Sequence, residues 1–128
     1  MAKVVMVVRI LLGLMFFASG MIGILNLVKA ELLPGDAGVY VNILTVHGFM
    51  KFVSLLMVIA GLLLMVGRYV PLGLVILGPI LVNILLYHLL LDPKGIAPGI
   101  VVTAMEVFLI WAYRLSFRGL FDASPEIA

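Results

Sequence analysis

Charged residues in this chain fall in short clusters, and long apolar stretches run between them. Residues 69–91 form a run of 23 without a charged side chain, and residues 10–28 form another of 19. A helix of about 20 residues crosses the roughly 30 Å hydrocarbon core of a bilayer. The pattern predicts an all-α chain whose four transmembrane helices cover about residues 4–28, 45–66, 71–91 and 98–113, with a tail over 114–128. Pro34, Gly35 and Asp36 follow the first helix as a turn signal, after Lys29, Ala30 and Glu31. Gly67 and Arg68 suit a helix end. Pro71 suits a first turn, and Asp92, Pro93, Lys94 and Gly95 close the third helix. A second helix drawn over residues 39–66 would measure about 42 Å, too long for the core unless strongly tilted. Residues 40–42 are therefore expected to form an interfacial turn. Pro79, inside the third helix, is expected to kink it and free a carbonyl one turn back.

Composition sharpens this reading. The chain has 128 residues, 66% of them hydrophobic and 11% charged, whereas soluble domains carry about 25% charge. Its mean hydropathy is +1.38. A soluble domain of this size could not hide so much apolar surface. One domain in a lipid bilayer is expected. The absence of cysteine excludes thiolate nucleophiles, disulfide exchange and Cys-based metal sites within the chain. The net charge of +2 does not point to nucleic acid, because the cations sit at helix ends. Lys3, Arg9, Arg68, Arg114 and Arg118 fall on one side, and Lys29 and Lys94 on the other. The positive-inside rule then places both termini in the cytoplasm. Trp111, Tyr113 and Phe117 sit where an inner aromatic belt belongs. The apolar N-terminal run exceeds the 7–15 residues of a signal peptide core and reads as a retained helix.

Polar groups inside the spans are functional candidates because the bilayer makes them costly. Arg9 and Glu106 lie about 9 and 12 Å above the inner boundary, counted along straight helices. Their matched depth and opposite charge suggest a structural buried pair, joined directly or through water. A second group lies about 22–30 Å up, namely Asn83, Lys51, Tyr87, His88 and His47. His47, Lys51 and Ser54 share one helix face, as do Asn83 and Tyr87. His88 lies about 140° from Asn83 and joins that face only if the Pro79 kink rotates it. These residues either line a cavity open toward the outer leaflet or snorkel to the headgroups. Two histidines without cysteine make a poor metal site, so no metal is expected. Ser19 and Gly23 form a small-xxx-small pair suited to close helix contact.

Four stretches resemble the DoxX family of small four-helix membrane proteins. They are RILLGL from Arg9 with Ser19 and Gly20, GLLLMVGRYVPL from Gly61, PILVNILLYH from Pro79, and the span from Glu106 to Arg114. Together they cover most of the chain, and the third is the most specific. Family members often carry an acidic residue in the middle of helix 2, and this sequence has none there. The resemblance implies a single four-helix domain over residues 1–128, in a prokaryotic inner membrane. It also implies an accessory subunit associated with quinone-linked redox chemistry rather than a self-sufficient enzyme. With no cofactor motif in the chain, redox partner subunits would supply electrons. His47, Lys51, Asn83, Tyr87 and His88 would then hold a quinone-like or other lipophilic ligand. A non-enzymatic scaffold subunit and a small transport component are the rival readings, and a homo-oligomer is open. A sealed core, a cavity open on one side and access from both sides distinguish scaffold, binder and transporter.

Overall fold

The computed structural model describes residues 1–26 and 34–128. Five α-helices account for most of them: α1 (Ala2–Leu25), α2 (Gly35–Val46), α3 (Phe49–Val66), α4 (Val70–Leu90) and α5 (Ile96–Ala112). Short 3-10 stretches follow at Pro93–Gly95 and Arg114–Phe121, and no strand occurs among the described residues. Four segments among the described residues are long and apolar enough to cross a membrane: Ala2–Leu25, Phe49–Val66, Val70–Leu90 and Pro93–Ala112. These match the four expected spans. The expected end of the first span at Val28, with Lys29, Ala30 and Glu31, lies outside the described residues.

The local signals act largely as their chemistry dictates. Asn26 closes α1 in a left-handed conformation, φ 56°, which Asn tolerates better than most residues. Gly67 closes α3 at φ 82°, and Tyr69 turns the chain into α4 at φ 57°. The Tyr69 conformation is uncommon for a bulky side chain. It permits a reversal of only three residues between two spans.

One expectation is corrected here. Residues 40–42 are not a turn but part of α2, a helix of 12 residues. At about 18 Å it is too short to span the bilayer. Gly48, at φ 76°, separates it from α3. An α-helix cannot propagate through a left-handed residue, so one long tilted helix becomes a short helix and a span.

The spans pack antiparallel. A Cβ on Gly13 of α1 would stand 2.7 Å from the Gly61 carbonyl of α3, and one on Gly20 would stand 2.6 Å from the Ser54 carbonyl. A side chain on Gly23 would collide with that of Ser54. Close approach in lipid thus rests on Gly13, Gly20, Gly23 and Gly61, whereas Ser19 is exposed. α4 returns along α3, with Gly73 facing Ala60 and Leu64. α5 returns along α4, with Gly99 facing Ile84 and Leu85. Leu12, Phe16, Ala60, Leu64, Leu74, Leu77 and Leu109 form the centre of the core. This arrangement puts the α3–α4 reversal, the start of α1 and the end of α5 at one end of the bundle. α2 lies at the other.

Candidate functional site

The α2 end of the bundle holds a cavity of about 470 Å³ between α2, α3 and α4. α3 contributes Met50, Val53 and Met57, a stripe at i, i+3 and i+7 on one helix face. α4 contributes Ile80, Asn83, Ile84, Tyr87 and His88, and α2 contributes Tyr40, Val41 and Leu44. The lining is mostly aliphatic and aromatic, with polar atoms from few residues. Three of the five expected ligand-binding residues, Asn83, Tyr87 and His88, are therefore brought together. The cavity is wide enough to reach both the Asn83–Tyr87 face and the Ile84–His88 face of α4.

His47 and Lys51 do not join them. His47 caps the end of α2 and Lys51 sits in the first turn of α3, both exposed. The break at Gly48 takes His47 off the α3 face. Lys51 is next to Met50, so its side chain leaves about 100° away from the cavity stripe. Ser54, the third member of the expected stripe, is 2% exposed and packs against α1 at Gly20 and Gly23. The expected His47–Lys51–Ser54 face thus divides between the outside and a helix contact.

The polar end of the cavity is an aromatic array. The rings of Tyr40 and Tyr87 lie 5.6 Å apart, tilted by 32°. Tyr87 meets His88 edge-on at 4.9 Å. His88 Nδ1 faces Asp92, 3.3 Å from its carbonyl oxygen and 3.8 Å from Oδ2. An imidazole held at Nδ1 presents its other nitrogen elsewhere. Asn83 Nδ2 donates to the Pro79 carbonyl over 3.2 Å, which leaves its Oδ1 and second N–H for other partners. α4 itself runs through Pro79 without interruption. A smaller cavity of about 180 Å³ adjoins the first through Met57, Ile84 and His88, and reaches Ser19 of α1 and Gly99 of α5. Among the described residues no group of three His, Cys, Asp or Glu side chains could hold a metal.

Arg9 and Glu106 do not form the expected direct pair, since no ion pair of 4.0 Å or less joins them. Arg9 packs its guanidinium against Gly67 at the end of α3, where a Cβ would stand 2.7 Å from Nη1. Glu106 faces Gly78, eight residues or about 12 Å beyond the start of α4. The depth count fails because Arg9, not Lys3, is level with the ends of α3 and α5. Glu106 is 3% exposed, and neither of its carboxyl oxygens has a hydrogen-bond partner among the described residues.

Sequence reasoning missed Tyr40, Met50 and Met57. The Gly35 and Gly48 that bracket α2 were the available signal for Tyr40. The methionines carried none, because a flexible apolar side chain in an apolar helix has no distinguishing pattern.

No family model and no solved structure matches the chain. It is similar to an uncharacterized protein, YwoB, of Bacillus subtilis (strain 168), 32% identical over 79 residues. The match covers 62% of this chain and 51% of that protein, so the chain spans about half the length of the relative.

Proposed function

We propose that this chain is a membrane-embedded binding subunit that takes up a lipophilic molecule with a carbonyl-bearing, quinone-like head group. The cavity between α2, α3 and α4 carries the proposal. Its volume of about 470 Å³ lies within the roughly 300–1,000 Å³ of small-molecule sites, and such sites pair apolar walls with a few polar groups. Asn83 and Tyr87 would meet the head group as donors beside the His88 ring, while Met50, Val53, Met57 and Ile80 would enclose its apolar body. Tyr40 would hold α2 over the site. The role that fits is an accessory one within a redox complex of the DoxX type, with electrons handled by partner subunits. A prokaryotic inner membrane with both chain ends cytoplasmic is the proposed setting, supported by the cations at Arg9, Arg68, Arg114 and Arg118. An open cavity at this depth favours a binder over a sealed scaffold.

The test is a thermal-stability titration of detergent-purified protein with decylubiquinone. Ligand at 100 times its Kd should stabilise the protein by about 2.7 kcal/mol. Val53→Trp, which fills the cavity, should abolish that gain, and Lys51→Ala should leave it intact. A gain that persists in Val53→Trp, or no saturable gain in the unaltered protein, would reject the proposal.

A further inference from the structure

The opposite end of the bundle carries a second cavity, lined by the start of α1 and the end of α5 and measuring about 450 Å³. Val5, Met6 and Trp111 give it an apolar floor, and Arg9 and Arg114 are the two cationic residues along it. Among the described residues, no acidic side chain lines it. Both arginines are held in place. Arg114 lies 4.8 Å from the centre of the Trp111 ring, and its Nη1 donates to the Trp111 carbonyl over 2.9 Å. Arg9 is wedged against Gly67, and its Nε is shielded without an acceptor among the described residues. A guanidinium presents five N–H donors, so most donors of Arg114 are uncommitted, and in Arg9 the terminal nitrogens, not the sealed Nε, are the ones a ligand could meet.

Fixed cations over an apolar floor at the end of membrane spans fit one kind of molecule. We propose that this groove binds an anionic phospholipid, its phosphate between Arg9 and Arg114 and an acyl chain along Val5, Met6 and Trp111. Arginine suits this task because its planar fork matches phosphate oxygens. The floor commits the ligand to the bilayer rather than to a free phosphate, since a soluble anion gains nothing from apolar walls. The segment Arg114–Phe121 supports the same source. It brings Arg118 together with exposed Leu115, Leu120 and Phe121, a mix suited to the headgroup boundary. This site is separate from the α2 cavity and does not depend on what that cavity binds.

The experiment is native mass spectrometry of the full chain released from detergent micelles doped with equal phosphatidylglycerol and phosphatidylcholine. The protein should retain phosphatidylglycerol preferentially. Arg114→Gln should cut that preference about fivefold, the scale of one basic residue at an anionic surface. Arg9→Gln should do the same. Arg68→Gln, at the same end but outside the groove, should leave it unchanged. Arg114 is exposed, so its variant remains informative even where Arg9→Gln impairs folding. Equal retention of the two lipids, or an unchanged preference in Arg114→Gln, overturns the proposal. So does equal displacement by glycerol 3-phosphate, or a dimer of this chain that carries no lipid.

Discussion

Tyr40 of α2 and Tyr87 of α4 lie with their ring centroids 5.6 Å apart. This contact makes a helix too short to span the bilayer into a wall of the principal cavity. Glycines with positive φ bound α2 at both ends, Gly35 at 67° and Gly48 at 76°. The aromatic contact ties α2 to α4, beside the packing of α2 on α3.

Tyr40→Ala should loosen that tie more than it unfolds the bundle. An aromatic pair contributes about 0.5–1.5 kcal/mol beyond its buried area. Amide exchange across Gly35–Val46 should accelerate while Val70–Leu90 keeps its protection. Uniform acceleration in both helices, or none in α2, would show that Tyr40 does not hold α2.

The α1–α3 contact leaves no space for a methyl group. A Cβ at Gly61 would stand 2.6 Å from the Gly13 carbonyl and 2.7 Å from the Phe17 backbone nitrogen, and neither backbone atom can swing aside. Gly61→Ala should cost about 1–3 kcal/mol, the usual range for overpacking. Gly119→Ala, with nothing within 4 Å, should cost nothing measurable. Detergent melting temperatures decide this, and equal values for the two variants would contradict the packing.

The four spans were legible because helix length, charge clusters and Gly or Pro breakers act locally. Asn83, Tyr87 and His88 were legible as costly polar groups at one depth in one helix. Lys51 and His47 fall outside the cavity lining because helical spacing shows which residues share a face, not which way that face points. Gly48 was readable as a glycine, but its left-handed conformation was not. Without it, α2 merged into α3 and Tyr40 was lost from the site. The axial offset of α1 against its neighbours, which separates Arg9 from Glu106, leaves no mark in the pattern of any single helix.

Topology can be mapped in this cysteine-free chain. Single cysteines at Ala2, Arg68 and Ser124 should resist impermeant thiol reagents added outside intact cells, and those at Asp36 and Lys94 should react. Arg68 is a better site than Gly67, whose φ of 82° and contact with Arg9 strain any side chain. Labelling at Arg68 with protection at Asp36 would invert the orientation.

Glu106 and Arg9 offer the sharpest test of the helix offsets. A buried ion pair broken from one side costs roughly 3–5 kcal/mol, because the remaining charge is stranded. No such pair exists here, since Arg9 sits at Gly67 and Glu106 sits about 12 Å farther along the α4 axis. Glu106→Gln removes no ion-pair partner and keeps a polar group of the same shape at a buried site, so it should not lower detergent stability by the amount that breaking a buried pair does. Arg9→Met should act through its own contact with Gly67. The double variant should equal the sum of the single variants within about 0.5 kcal/mol, as separated sites do. Thermal unfolding of all four proteins measures the coupling. A coupling above roughly 1 kcal/mol would show that the two side chains act on one another and that Arg9 lies deeper in the bundle than the level of Gly67.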